Sequence, residues 1–225
     1  SAFDISVACT GYVYALQIAR ANIATGFAKR VLVLTADTTS KFVDWKDRTT
    51  CVLFGDGATA TLVEKSNDEN DDIQEVILGA DGTKKEFISV DLQKEICPLA
   101  ENNGTNGDNH LKMAGKDVYK YVMQEVPSLV EKILTKANMT WDDIDYFVPH
   151  QANLRMIEAL SERLNLKPEK VLTNIEEFGN MSAASIPCVL SDKMKKGILK
   201  TPSTLLLCAF GAGMTSGAAI VKLRN

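Results

Sequence analysis

"VLFGDGATATLV", Val52–Val63, is an apolar run, a Phe-Gly-x-Gly turn and a β-rich run, and it returns near the end of the chain as "CAFGAGMTSGAAIV", Cys208–Val221. A stretch that passes from an apolar strand pattern into helical spacing precedes each copy. "AFDISVACTGYVYAL", Ala2–Leu16, precedes the first, and "IDYFVPHQANLRMIEAL", Ile144–Leu160, the second. A unit that occurs twice implies two related halves. If these pack about a pseudo-twofold axis, equivalent corners converge. Cys9 and His150 hold those corners, so a thiol and an imidazole are expected to meet although they are far apart in sequence.

The rest of the chain fits the same frame. Tyr12, Leu16, Ala19, Ile23 and Phe27 recur at spacings of three and four, which predicts a helix after Cys9. "RVLVLTAD" reads as a strand buried on both faces, and "CVLFGDGATATLVEK" as a strand, a glycine turn and a second strand. The polar, acidic "KSNDENDDIQ" reads as a solvated connector, with a metal-binding loop the weaker alternative. Beyond it come "EVILGADG" and an Asn/Gly loop, "AENNGTNGDN". A long helical pattern through Val118, Val122, Leu129, Ile133 and Ala137 follows, with Pro127 placed to kink it. A buried strand is expected to end at His150, with amphipathic helices through Ile157, Leu160 and Leu164 and through Ile186, Leu190 and Met194. Strands alternating with helices predict an α/β fold with largely parallel, buried sheets. Residues 1–66 are expected to form one half and 73–225 the other.

With 225 residues, 45% of them hydrophobic, the chain can build a substantial core, and its net charge of -4 offers no global field for nucleic acid. No run reaches the length of a membrane span, and the first residues lack the regions of a signal peptide. Five cysteines without a CxxC pair fit a reducing compartment, so the sequons at Asn103, Asn138 and Asn180 read as silent. Cys51, Cys97, Cys188 and Cys208 lie mostly in apolar runs and read as small packing residues.

Cys9 differs, because a thiol at a helix N-terminus meets unpaired N–H groups and the positive end of the helix dipole, which favour the thiolate. His150 follows Pro149 at a strand end, where a pocket opens in many α/β proteins, whereas His110 in the Asn/Gly loop reads as exposed. Asn180 lies in "EFGNMSAASIP", with Gly179 permitting close backbone approach; a helix cap and a catalytic amide are both open readings. The "FGAGMTSG" turn suits an oxyanion hole or a plain tight bend.

Taken together, "SVACTG", "VPHQANLRM", "FGNMSAASIP" and "AFGAGMTSGAA", in this order and at these intervals, resemble the β-ketoacyl-acyl-carrier-protein synthase III family. "DWKDRTTCVLFGDGA" and "LKMAGKDVYKYV" are similar to family segments too. The resemblance implies a thiolase-like fold, layered αβαβα and built from two pseudo-related halves. It also implies that most of the first half is missing from this chain, since the family nucleophile lies well inside that half. It implies Cys9 as nucleophile, His150 and Asn180 as partners in catalysis, and the backbone N–H groups of Cys9 and Ala212 as the oxyanion hole. Gln151, Asn153 and Arg155 would meet substrate or carrier. The implied reaction joins an acyl-CoA primer to malonyl-acyl-carrier protein without metal or resident cofactor. A homodimer in the cytoplasm or a plastid-type stroma is expected when the chain is complete. The alternatives are a related type III polyketide synthase, which also uses Cys, His and Asn but to which "VPHQAN" and "FGNMSAASIP" are less similar, and an inactive fragment of the enzyme; a cysteine protease, whose triad also runs Cys, His, Asn, is the remote reading, since no CGSCW-like segment surrounds Cys9.

Overall fold

The computed structural model describes residues 1–66, 71–90 and 109–224. Along the chain these form α1 (Gly11–Ala24), β1 (Arg30–Thr38), β2 (Asp56–Glu64), β3 (Ile73–Ala80), β4 (Ile88–Val90), β5 (Leu111–Met113), α2 (Gly115–Ala137) and β6 (Tyr146–Pro149). There follow α3 (Leu154–Arg163), α4 (Ile175–Phe178), α5 (Ser185–Lys195), β7 (Ser203–Gly211) and β8 (Thr215–Leu223). Cys97, residues 67–70 of the connector and all but the last residue of the Asn/Gly loop lie outside the described residues.

A four-stranded sheet in the order β3-β8-β7-β6 forms the centre. Its middle strands carry continuous apolar runs, Leu205–Gly211 and Gly217–Val221, because both faces are covered there, and alternation along β7 divides the side chains between two cores. Leu205, Leu207 and Ala209 join Val13 and Leu16 of α1 and Ile186 and Val189 of α5 in one core. Leu206, Cys208 and Phe210 face Val122, Leu129 and Ile133 of α2 and Leu160 of α3 in the other. The first core extends to Val33 of β1, with Val31 and Val63 packed against it, so α1 and α5 lie between the central sheet and the β1–β2 pair. The described residues thus supply four layers: β1–β2, then α1 and α5, then the central sheet, then α2 and α3. Among them no helix is long and apolar enough to cross a membrane.

Several expectations change. Only β6 and β7 run parallel among the paired strands; β1–β2, β3–β8, β4–β5 and β7–β8 are antiparallel. An apolar run reports burial and not direction, which explains the misreading. β1 is buried on one face only: Val33 and Thr35 point inward, whereas Leu32 and Leu34 are 59% and 67% exposed. Cys51–Leu53 form turns instead of a strand, and Phe54 makes only an isolated bridge, to Asn180. Helix α1 ends at Ala24, before Phe27, which is exposed. Helix α2 runs unbroken through Pro127. Its face from Val118 to Leu134 is buried, at roughly 1.5–3 kcal/mol for each large apolar side chain, enough to carry the missing N–H.

Candidate active site

Cys9 sits on a single 3-10 turn, Ala8–Thr10, immediately before α1. The turn is sharp because Ala8 adopts φ 46°, a left-handed conformation that costs a non-glycine residue roughly 1–3 kcal/mol and needs neighbours to hold it. Thr10 supplies the hold: its hydroxyl donates to Val7 O at 2.7 Å and pairs with the Thr215 hydroxyl of β8 at 2.8 Å. Gly211 at the end of β7 lies directly against this turn. A Cβ there would stand 2.9 Å from the Cys9 nitrogen, so only glycine lets the two backbones approach this closely.

His150 extends the β6–β7 ladder by one bond, donating its backbone N–H to Cys208 O at 2.7 Å. Its ring packs edge-to-face on Phe210, with centroids 5.4 Å apart, and Nδ1 makes no hydrogen bond to protein. Burial strips water from the ring and pushes its pKa down to about 3. At neutral pH it is an uncharged imidazole.

That depression fixes a pH dependence. The unfolded chain, with an ordinary histidine pKa near 6.5, binds a proton that the folded ring refuses until about pH 3, so stability falls as pH drops from 6.5 toward 3. The loss attributable to His150 is about 2 kcal/mol between pH 7 and pH 5. Urea denaturation at the two pH values checks it: His150→Phe should flatten the difference by that amount.

Asn180 is clamped from both sides. Its backbone N–H donates to Leu53 O at 2.8 Å and its carbonyl accepts from Gly55 N–H at 2.9 Å. Close contact depends on Gly179 at φ 68°, where a Cβ would lie 3.2 Å from Leu53 O. The side-chain Oδ1 accepts the Ser182 N–H at 2.9 Å, which leaves the amide NH₂ as the end able to donate. Asn180 therefore caps no helix, since Met181 holds the N-cap of the following 3-10 turn, Ser182–Ala184; its side chain instead braces that turn.

Cys9, His150 and Asn180 all line a cavity of about 630 Å³, as does Ala212 of the glycine turn. Apolar groups such as Phe42, Leu53, Val90 and Met156 form much of its wall. Asn153 also lines it, while its Oδ1 caps α3 by accepting Met156 N–H at 2.8 Å. Arg155 is exposed on the first turn of α3. Gln151 corrects an expectation: it is sealed from solvent, away from the cavity lining. Its NH₂ donates to Pro149 O, and its Oε1 accepts from the Thr173 hydroxyl and Asn174 N–H. It braces the strand end that carries His150 and is buried away from the cavity. His110 is half-buried, not exposed.

The thiol also departs from expectation. Cys9 keeps an opening to the cavity and is only half-buried, yet protein encloses the sulfur closely enough that desolvation pushes its pKa up to about 11. The neighbouring Ser182 side chain opposes the shift and the Asp37 carboxylate adds to it. Burial outweighs the helix terminus, so the resting residue is a thiol. Asp37 and Ser182, both in the cavity lining, were missed from sequence. The available signal was an acidic residue at the end of the apolar run "RVLVLTAD". Cys51, Cys188 and Cys208 are free thiols, and burial pushes Cys208 up to about 12.

Layered sheets and helices with a cysteine, a histidine and an asparagine at one cavity define a thiolase-like protein. Residues 3–82 match the family described as 3-oxoacyl-[acyl-carrier-protein (ACP)] synthase III, and residues 134–223 match its C-terminal counterpart. The chain belongs to the β-ketoacyl-acyl-carrier-protein synthase III family. A relative of that name from Campylobacter curvus is 43% identical over 222 residues, covering 99% of this chain and 66% of its own length. The solved synthase III from Thermus thermophilus superposes with a TM-score of 0.87 at 39% identity, covering 98% of this chain and 67% of that one. The Aquifex aeolicus structure gives 0.86 at 40% identity, with the same coverage. The chain spans about two thirds of the length of the curated relatives it matches.

Proposed function

We propose that the protein carries out the decarboxylative Claisen condensation that begins type II fatty-acid synthesis, joining a short acyl-CoA to malonyl-acyl-carrier protein to give 3-oxoacyl-acyl-carrier protein. The observation that carries this reading is the gathering of Cys9, His150 and Asn180 around one largely apolar cavity, in a chain of this family. In the first half-reaction the Cys9 sulfur attacks the acyl-CoA thioester and coenzyme A leaves. Backbone N–H groups of Cys9 and Ala212 hold the oxyanion. In the second, malonyl-acyl-carrier protein loses CO₂. Negative charge grows on its thioester oxygen, where neutral His150 and the Asn180 NH₂ donate hydrogen bonds, and the enolate attacks the acyl-enzyme. Carbon joins carbon, and Cys9 is released.

Two features support this division of labour. A histidine that stays neutral at working pH can donate to an anion without first being charged, and an asparagine whose oxygen is already satisfied presents its nitrogen. Asn153 stands at the cavity to meet the pantetheine arm, and exposed Arg155 offers charge to an acidic carrier protein. Residues 1–66 and 73–225 are the two halves in this reading. The working enzyme is a homodimer of the cytoplasm or a plastid-type stroma.

Incubation with a series of acyl-CoAs and malonyl-acyl-carrier protein, followed by mass measurement of the carrier, tests the proposal. The expected product carries the acyl group plus two carbons; carrier that returns unextended with every primer refutes it. Gly211→Ala is a sharper check on the geometry. Its methyl group pushes on the Cys9 backbone, and misplacement by about 1 Å costs on the order of 10²-fold in acylation, readable by quenched-flow labelling with acetyl-CoA.

A further inference from the structure

The oxyanion hole proposed above draws its two N–H groups from turns far apart in sequence: Cys9 lies in the turn before α1, and Ala212 in the glycine turn between β7 and β8. Two donors serve one oxygen only when their spacing is held, so the link between these turns matters. The close approach of Gly211 to the Cys9 nitrogen lets the backbones meet but does not fasten them. A pair of hydroxyls does. Thr10, fully buried, donates to Val7 O at 2.7 Å and so closes the turn that contains Cys9. The Thr215 hydroxyl lies 2.8 Å from that of Thr10 and 3.1 Å from Ala212 O, and so closes the turn that contains Ala212. Thr10 gives its single proton to Val7 O, so Thr215 is the donor between the hydroxyls and shares its proton with Ala212 O. The Thr215 methyl packs against Gly213, where a Cβ would stand 3.0 Å from it. On its far side the glycine turn is tied to the end of β3: Asp81 N–H donates to Met214 O at 2.7 Å, and Met214 N–H to Asp81 O at 3.0 Å. Backbone bonds thus hold the turn to the central sheet, and hydroxyls hold it to the nucleophile.

We infer that Thr215 and Thr10 are positioning residues whose hydroxyl bridge sets the distance between the Cys9 and Ala212 N–H groups, and with it the strength of the oxyanion hole. The inference rests on the acyl transfer proposed above. Neither threonine lines the cavity, so both act through the backbone and not on substrate. When the Cys9 sulfur bonds to the thioester carbon, the carbonyl electron pair moves onto oxygen, and it returns as the bond to coenzyme A breaks. Charge on that oxygen is present only between these two events. A mis-spaced pair of donors therefore weakens binding of the transition state and leaves binding of the uncharged thioester alone.

Thr215→Val and Thr10→Val each remove a hydroxyl and keep the branched shape. In both, the maximal rate of acylation by labelled acetyl-CoA should fall about 10-fold or more, with the half-saturating concentration unchanged. The double variant should be no slower than the slower single, since the two hydroxyls form one bridge. Thr215→Ser, which restores the hydroxyl, should recover acylation to within about threefold of the parent. Alkylation of Cys9 by iodoacetamide separates this role from a structural one. It displaces iodide at a saturated carbon and forms no oxyanion, so its rate should stay within about twofold of the parent in every variant. Acylation of Thr215→Val within about threefold of the parent overturns the bridge, and so does alkylation that falls in parallel with acylation, which would mean only that the sulfur has moved. p-Nitrophenyl acetate provides a second acyl donor that needs no coenzyme A site: its acetyl group passes to the Cys9 sulfur through the same oxyanion, and nitrophenol leaves with the thiol proton. If the parent takes an acyl group from no acyl-CoA, the functional reading itself fails. The bridge is then judged by the burst of nitrophenol, and equal bursts in parent and Thr215→Val, or none from the parent, sink it.

Discussion

Cys9→Ala leaves no acyl-enzyme: incubated with acetyl-CoA and examined by intact mass, the variant should show none of the acetyl adduct that the parent acquires. The loss is complete because no other described cysteine can substitute. Cys208 is sealed in the core between the central sheet and α2, and Cys51 and Cys188 are outside the cavity lining. Removing the sulfur also costs little in packing, since Cys9 is only half-buried and opens on the cavity. The variant should therefore fold, and unfold in urea near the parent's midpoint. Retention of the adduct in Cys9→Ala would move the nucleophile elsewhere and dissolve the proposed mechanism.

His150→Ala and Asn180→Ala should separate the two half-reactions. Each removes a donor aimed at the charge that develops during loss of CO₂, a change that typically costs about 10²- to 10³-fold. Their proposed task comes in the second half-reaction, so acylation should survive far better than decarboxylation. Release of labelled CO₂ from malonyl-acyl-carrier protein, measured beside acetyl transfer on the same preparations, gives the ratio. Asn180→Asp is the informative companion. Its carboxylate can still accept the Ser182 N–H, so the turn keeps its shape, but it places negative charge where a donor is needed. Decarboxylation at or near the parental rate in His150→Ala and Asn180→Asp alike would remove both residues from that step.

Much of the site was legible because its local signals are short-range. Helical spacing after Cys9, an apolar run closing at Pro149 and a glycine beside Asn180 each predict a corner, and the repeated Phe-Gly-x-Gly unit predicts that corners meet. The structure brings Cys9, His150 and Asn180 to one cavity. Gln151 shows where such reasoning stops. The family resemblance implies a ligand contact for it, yet it is buried away from the cavity and bonded to Pro149, Thr173 and Asn174, the last two reached only once the chain has folded back.

The amino-acid order by itself determined most of the helices and strands, though not the turns at Cys51–Leu53 or the end of α1, as well as which residues carry reactive groups and that the molecule is built on a doubled plan. Periodicity and turn chemistry act over a few residues, so they can be read along the chain. Tertiary structure decided the direction in which strands pair, the one-sided exposure of β1, the thiol state of Cys9 and the placement of Asp37 and Ser182 in the lining of one cavity. Those properties depend on hydrogen-bond register and on loss of hydration. Both are set by groups that lie far apart in sequence and become neighbours only through packing.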